Sequence, residues 1–493
     1  MTPAERLARE TPGNAGELLA RVEAAGLEQV RVAWADLHGS HRCKTLVVGG
    51  RFGTRALAAA LDGGVGMVST LLLKDTADRT ALPVFEPGAL DGLPGFGAAN
   101  NLLLWPEPES FVVLPWSPRT GWLRATPRWA DGRPVEADPR GVLERALQRL
   151  ADAGYTLRVG LEVEFHVYRL DAGPLPAGVH GWPAEPAAVH ALHPGHGLLN
   201  EAWADRADAV FATVRRVAEG LGLPLASLEV EFGPSQLEAV FSATDALTAA
   251  DHLVAFRSGV RQALAREGWH ATFMARPPLP GAMASGWHLH QSLATADGPD
   301  AGRNAFVRGA AGGGAHEARA VLSDAGAHWL AGLLAHAPGL AALSVPTAVG
   351  FERFKGSPMA PTAAHWGFDN RGAMLRVIGA PGDAATRIEN RLGEPLANPY
   401  LCLAGQVAAG LDGLARRLEP GAAVRAPYEP QPAALPATPA AALDALAADT
   451  VLAEALGPAL CRVHEAVRRA EIARRAAAAD PAEWDRRELF GRF

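Results

Sequence analysis

The sequence holds few cysteines, no unbroken apolar run of membrane length and no block of basic residues. Its three cysteines, Cys43, Cys402 and Cys461, are odd in number and widely spaced. They therefore form neither a disulfide framework nor a CxxC metal pair, and they fit a reducing cytoplasm best. The net charge is −7, which offers nothing to a nucleic-acid backbone. We expect a cytoplasmic protein without a nucleic-acid partner.

Membrane and leader segments are also missing from the pattern. The most apolar stretch, residues 327–345, is interrupted by two histidines and a proline. It predicts a buried helix rather than a membrane span, and we expect no membrane partner. The first residues carry both charge signs without an apolar core, so they do not predict a signal peptide.

The chain has two regions that differ in their predicted secondary structure. Its 493 residues, 48% hydrophobic and 20% charged, are typical of a globular protein with ample core. Short strands and Gly/Pro loops come first, and strands alternating with long helices follow Asp138-Pro139. We place the domains at 1–137 and 138–493. Residues 419–450, rich in Ala and Pro, predict little order, and 451–477 predict one helix with a solvated basic side.

The pentapeptide LEVEF occurs twice, at Leu161–Phe165 and Leu228–Phe232. In a strand, residues two apart share a face, so Glu162 would lie beside Glu164 and Glu229 beside Glu231. Two carboxylates about 6 Å apart repel by roughly 3 kcal/mol at an effective dielectric of 20. One such pair is usually a solvated sheet face, so two pairs on apolar strands ask for an explanation.

Three further segments place reactive groups together. A chain reversal at Gly233-Pro234 would return Glu238 towards Glu231. Oxygen and imidazole donors of this kind suit Mg²⁺ or Mn²⁺, and a bound dication would turn the repulsion into attraction. The other side chains that share strand faces are His288, His290 and Ser292 on one strand and Arg387, Glu389 and Arg391 on another.

The sequence lacks a GxxxxGK[ST] phosphate loop. If a nucleotide binds, arginines and metal ions must hold its phosphates. Arg371 and Arg376 would suit that task, although an ordinary surface ion pair is an equal alternative for either.

In this order, the segments resemble the bacterial type I glutamine synthetases. The resemblance runs from about Val30 to the end of the chain and is strongest from Leu161 to Leu403. It implies an α+β fold, with an N-terminal β-grasp domain and a catalytic domain of curved antiparallel sheet with flanking helices. It also implies homo-dodecamers of two hexameric rings. The motifs that carry it are LEVEF, EFGPSQLE, HATFMARP, SGWHLHQSL, DNRGAMLRV and RIENRLGEPLANPYL.

The resemblance also implies roles for single residues. Two to three Mg²⁺ or Mn²⁺ ions per site would be held by Glu164, Glu231 and Glu238 near glutamate, and by Glu162, His288 and Glu389 near ATP. Arg353 and Arg391 would hold the carboxylates of glutamate. Arg371, Arg376 and Arg387 would hold the phosphates of ATP, and His290 and Ser292 would line the nucleotide pocket. Arg353, Arg371 and Arg391 are the implied catalytic arginines.

Departures from the family pattern cluster where ammonia would bind. Met359 stands where the family flap has an acid, and the family's DGSS-like aspartate aligns clearly with neither Asp75 nor Asp78. Glu229 falls where the family has a histidine, so its role is open. The pattern resembles the γ-glutamylpolyamine and γ-glutamylamide synthetases, which implies a γ-glutamyl amide made through an acyl phosphate. The alternatives are an ammonia-using enzyme, a catalytically silent assembly and a metal-dependent hydrolase.

Overall fold

The computed structural model describes residues 14–93, 95–171, 181, 183–298, 300–309, 317–355, 359–429 and 434–493. The helices are α1 Ala15–Ala24, α2 Arg55–Gly63, α3 Pro139–Asp152, α4 Glu201–Leu221, α5 Ala246–Arg266, α6 Asp324–Ala335, α7 Ala337–Ser344, α8 Ala348–Glu352, α9 Pro399–Arg416, α10 Pro439–Ala448, α11 Thr450–Leu456, α12 Pro458–Ala476 and α13 Pro481–Asp485.

The strands fall into two sheets. They are β1 Gln29–Ala35, β2 His41–Val47, β3 Val65–Val68, β4 Asn101–Pro106, β5 Val112–Val113, β6 Thr120–Arg128, β7 Tyr155–Leu170, β8 Val189–Ala191, β9 Leu225–Val230, β10 Gln236–Asp245, β11 Trp269–Thr272, β12 Trp287–Thr295, β13 Trp366–Phe368, β14 Leu375–Ile378 and β15 Arg387–Asn390.

The first sheet runs in the order β2-β1-β6-β4-β3, with β5 paired to β6. Strands β1 and β6 are parallel, and the other pairs are antiparallel. Leu18 of α1 and Leu57 of α2 pack with Val30 and Leu123 in a small core of their own. Helices over one face of a mixed sheet confirm the predicted β-grasp arrangement.

The second sheet runs in the order β13-β14-β15-β12-β7-β10-β9, and β8 and β11 also pair with β7. Apart from β13–β14, its pairs are antiparallel. The sixteen-residue strand β7 is its centre. Its buried side chains at Leu157, Val159, Leu161 and Val163 alternate with partly buried or exposed ones, so one face packs on the core while the other is left for polar groups.

Helix starts were well marked in the sequence. Asp138 caps α3 with Pro139 at its first position, as predicted, and Asn398 caps α9 ahead of Pro399. Asp245 caps α5, because its carboxylate accepts the Thr248 N–H. No helix in the described residues is long and apolar enough to cross a membrane.

Four expectations about the later segments were wrong. The apolar stretch 327–345 forms two helices, α6 and α7, that meet at His336. The tail breaks at Gly457, whose φ of +85° ends α11 before Pro458 starts α12. Residues 439–448 are helical, because Leu443 and Leu446 are buried against neighbouring helices. The basic side of α12 is not simply solvated, since Arg468 is buried beside Glu471.

Candidate active site

A row of carboxylates crosses three neighbouring strands of the second sheet. Glu238 on β10 pairs directly with Glu164 on β7 and, on its other side, with Glu229 on β9. Directly opposite residues of antiparallel strands have Cβ atoms about 5 Å apart. The prediction that Glu162 and Glu164 share a face is consistent with the alternating burial of β7. Glu231 lies just beyond the end of β9 rather than inside a strand.

The turn after Glu231 brings Glu238 back, as the sequence predicted. Ser235 holds a left-handed backbone with φ +60°, and the Glu231 N–H donates to the Gln236 carbonyl at 3.0 Å. The Gln236 side chain donates to Glu164 Oε2 at 2.8 Å and accepts from the Gly233 N–H at 3.0 Å. Gln236 therefore ties the turn to the carboxylate row.

The two histidines of β12 meet Glu162. His288 pairs with Glu162 across β12 and β7, and His288 Nδ1 lies 3.1 Å from Glu162 Oε2. His290 Nε2 lies 2.9 Å from Glu162 Oε1. His288 Nε2 is also 3.9 Å from Glu164 Oε1. The two histidines thus link both glutamates of the first LEVEF segment.

Glu389, which is fully buried, is the meeting point of two arginines. Arg376 Nη1 donates to Glu389 Oε2 at 3.0 Å, and Arg391 Nη1 donates to Glu389 Oε1. The Arg391 Nε–H is buried and has no partner among the described residues. Arg353 is buried too, and its Nη1 donates to the Gly393 carbonyl at 2.6 Å. The Nε–H of Arg391 can therefore donate a hydrogen bond to a ligand oxygen.

Charge in this cluster is unevenly balanced. Burial, then the charge of Glu231, raises the pKa of Glu164 to about 8. Burial, then Glu164 and Glu231, raises the pKa of Glu238 to about 10. Burial also opposes ionisation of Glu162, but hydrogen bonds with His288 and His290 outweigh it and lower its pKa. Without a cation, Glu164 and Glu238 therefore hold protons that a bound metal ion would displace.

The donor set fits hard divalent cations. Two groups of three donors have their ligand atoms within 4.8 Å of one another. Burial, then Arg391, lowers the pKa of His288 and keeps its imidazole neutral, as a metal ligand must be. These groupings differ from the ones that the resemblance implied, because Glu162 belongs to both. They are Glu162, His288 and Glu238, and Glu162, His290 and Glu389.

A cavity of about 210 Å³ opens beside this cluster. Glu162, His290, Ser292 and Arg387 line it, and Arg387 Nε donates to His290 Nδ1 at 3.1 Å. Arg371, by contrast, is exposed. The cavity joins four of the predicted nucleotide and metal residues.

Three residues of the site were missed by the sequence reasoning. Gln236 stands inside the EFGPSQLE motif and could have been found there. A Cβ on Gly286 would lie 3.0 Å from both His288 Nε2 and an Arg353 nitrogen, so only glycine leaves this space open. Glu394 accepts two hydrogen bonds from Thr347, and burial raises its pKa to about 7.

Asp75 and Asp78, the aspartates near the N-terminal motif without a clear match, form ion pairs outside the carboxylate row. Asp75 forms an ion pair with Arg474 at 3.0 Å, and Asp78 forms one with Arg42 at 2.7 Å. Among the described residues, neither belongs to a donor group around the carboxylate row.

The fold and this cluster agree with a known family. The profile of the glutamine synthetase catalytic domain matches residues 136–487. The chain belongs to the glutamine synthetase family and is an ATP-dependent ligase. A solved structure titled "GmaS/ADP complex-Conformation 1" superposes with a TM-score of 0.74 at 29% identity, covering 95% of this chain and 98% of that one.

Two curated relatives make the comparison finer. A γ-glutamylanilide synthase of an Acinetobacter species is 35% identical and covers 97% of this chain and 95% of its own. The γ-glutamylethanolamide synthetase GlnA4 of Streptomyces coelicolor is 34% identical and covers 87% of this chain and 86% of its own. A glutamine synthetase of Thermus thermophilus is 32% identical over 80% of this chain and 86% of its own.

Proposed function

We propose that the protein joins the γ-carboxylate of glutamate to an amine larger than ammonia, using ATP and Mg²⁺ or Mn²⁺. Two features together support this proposal. Glu or His stands at every ligand position that the family pattern implies, and a thioether replaces the flap acid. The cluster supplies what phosphoryl transfer needs, whereas Met359 offers no carboxylate for ammonium at the position of the flap acid. The names of the two amide synthetase relatives point the same way.

The flap residue is Met359, and it is 51% exposed. Its backbone has φ +66°, and its N–H donates to Tyr428 Oη at 2.7 Å. An ammonium ion needs carboxylates to hold it, while a thioether offers polarisable apolar contact. A primary amine with an apolar body gains from that contact. An aromatic amine such as aniline is the first candidate, and ethanolamine is the second.

We assign the metal ions to the two donor groups of the cluster, with Glu164 and Glu231 beside them as the family pattern implies. Two to three ions per site would neutralise the carboxylate row and the phosphates of ATP. Glu162, Glu238, His288 and Glu389 would be the principal ligands. His290 has its Nε2 on Glu162, so it serves the ion as well as the nucleotide pocket.

We assign the arginines to the two substrates. Arg391, with its unpartnered Nε–H, and the buried Arg353 would hold the carboxylates of glutamate. Arg387, in the cavity beside Glu162, and Arg376 would hold ATP phosphates together with Ser292 and His290. Arg371 is exposed and would reach the phosphates only once ATP is bound.

The reaction then follows from positioning and charge. The arginines orient the side-chain carboxylate of glutamate in line with the terminal phosphoryl group of ATP. One carboxylate oxygen forms a bond to phosphorus as ADP leaves, which gives an acyl phosphate. The neutral amine attacks the acyl carbon, phosphate leaves, and the proton that the amine loses goes to the departing phosphate. Arg391 and Arg376 keep Glu389 fixed while charge moves.

The wider setting is part of the same proposal. We place the protein in the cytoplasm and assign residues 1–137 to the grasp domain and 138–493 to the catalytic domain. We further propose a homo-dodecamer of two hexameric rings. Sedimentation that shows a stable monomer would remove the assembly from the proposal.

The test is a panel of amines. The protein is incubated with ATP, Mg²⁺ and L-glutamate against ammonia, ethanolamine, alkylamines, diamines, polyamines and anilines, and phosphate release and product mass are read together. We expect a γ-glutamyl amide of an amine with an apolar body. Fast turnover with ammonia alone would defeat the choice of amine, and amide cleavage without ATP would support a hydrolase instead.

A further inference from the structure

A second cavity, of about 280 Å³, lies between the two sheets and away from the carboxylate row. The loop after β1, helix α5 and the last residues of the chain enclose it. Seven of its sixteen lining residues are aspartates or arginines, whereas ligand pockets are mainly apolar. These charged side chains are Asp36, Arg42, Asp75, Asp78, Arg257, Arg261 and Arg492.

The three carboxylates of this cavity are already committed. Asp36 accepts the N–H groups of His38 and Ser40, both at 3.0 Å, and pairs with Arg42 at 2.9 Å. Arg42 also holds Asp78. Asp75 accepts two backbone N–H groups and pairs with Arg474. Asp36 and Asp78 thus share the cation of Arg42, and Asp75 pairs with Arg474.

Three other arginines line the cavity, and two of them, Arg261 and Arg492, have few partners among the described residues. Arg257 donates hydrogen bonds to the carbonyls of Gly39, Pro395 and Ala397 at 2.8 to 3.0 Å. Arg261 makes only a 3.4 Å contact with the Gly491 carbonyl, and Arg492 lies over the ring of Phe493. Within the described residues, neither Arg261 nor Arg492 forms an ion pair with a carboxylate.

These two guanidinium groups also repel each other. Burial, then the charge of Arg492, lowers the pKa of Arg261 to about 10. Burial lowers the pKa of Arg492 as well, although Asp78 attracts its cation. An anion beside Arg261 would offset this repulsion and supply the carboxylate or phosphate oxygens that a guanidinium fork binds in pairs.

We propose that this cavity binds a small anion, carrying a carboxylate or a phosphate group, between Arg261 and Arg492. The volume limits the ligand to a small metabolite-sized molecule. The anion would touch α5 of the catalytic region, the loop after β1 of the grasp region and the end of the chain. It would therefore brace the junction between the two sheets without entering the catalytic cluster.

The experiment measures thermal stability against anion concentration, with EDTA present so that metal-dependent binding at the catalytic cluster is suppressed. The probes are inorganic phosphate and succinate, each compared with sodium chloride at equal ionic strength. We expect a saturable rise of the unfolding temperature with at least one probe. The stronger of the two responses identifies phosphate or carboxylate as the preferred group.

Variants locate the response. Arg261→Gln and Arg492→Gln should each weaken the apparent affinity at least tenfold, while Arg261→Lys keeps part of it. Arg266→Gln removes an exposed charge from the last turn of the same helix and should change nothing. No saturable response in the wild type, or equal responses in Arg261→Gln and wild type, would overturn the proposal. The amine panel is independent of this outcome.

Discussion

Glu164 and Glu238 lie directly opposite each other on antiparallel strands, and both hold their protons far above the range of an ordinary glutamate. Their repulsion is the cost that the fold accepts for a cation site. Neutralising one of them should therefore stabilise the protein without metal and damage the reaction at the same time. A gain in stability together with a loss of activity would distinguish a functional cluster from a structural one.

Glu238→Gln tests this directly. In EDTA at pH 8 the variant should unfold at a higher temperature, because the amide needs no proton. Its free energy of unfolding should rise by an amount on the order of 2 kcal/mol. Phosphate release with ATP, Mg²⁺ and glutamate should fall at least on the order of 100-fold. The exposed Glu454→Gln is the control. Full activity in Glu238→Gln would remove Glu238 from the ligand set.

Stability without metal should depend on pH through the same two groups. Their folded pKa values, about 8 and about 10, lie above the ordinary value of 4.5, so the folded state retains protons that the unfolded chain releases. The free energy of unfolding must then fall as the pH rises from about 5 towards 10. Melting curves in EDTA at pH 6, 7.5 and 9 check this trend. Saturating Mg²⁺ should flatten the fall, and an unchanged slope would contradict the cluster's role.

The strand pattern made much of this site predictable. LEVEF, WHLHQ and RIEN fixed which side chains share a face, and the Gly233-Pro234 reversal followed from turn chemistry. The grouping of ligands did not follow, since Glu162 reaches both His288 and His290 only through its side-chain torsion angles. The helix of residues 439–448 was missed because its order comes from burying Leu443 and Leu446 rather than from local sequence.

A side chain at Gly286 should push neighbouring site residues out of place. A Cβ there would lie 3.0 Å from His288 Nε2 and from Arg353, and 3.4 Å from Glu164 Oε1. Gly286→Ala should displace these groups and lower kcat on the order of 10- to 100-fold. Gly63→Ala, at the end of α2 with open space around it, is the matched control. Equal kcat values in the two variants would show that this close packing does not matter.

Met359→Glu restores the acid that the family flap carries. We expect kcat/KM for ammonia to rise by about tenfold, because the carboxylate holds ammonium, while kcat/KM for the preferred larger amine falls. Met359→Gln keeps the length without the charge and should not gain ammonia activity. If ammonia activity rises equally in both variants, charge at this position is not what selects the amine.

His336 gives a pH dependence in the same direction, but from a histidine cation rather than from neutral acids. Burial disfavours its cation, but hydrogen bonds to Asp449 at 2.6 Å and Asp412 at 3.0 Å outweigh burial and raise its pKa. A raised histidine pKa stabilises the fold at low pH and loses that effect as the pH rises. His336→Asn should therefore cost more stability at pH 6 than at pH 9. A constant difference in unfolding temperature between variant and wild type would contradict the ion pairs.

Binding of Mn²⁺, followed by calorimetry in two buffers of different ionisation enthalpy, tests the central claim most directly. The account predicts saturable binding of at least two ions per chain, with release of protons from the Glu164–Glu238 pair, and a lower stoichiometry in Glu238→Gln. Absence of binding at millimolar Mn²⁺, or binding that Glu238→Gln leaves unchanged and that releases no protons, would contradict it.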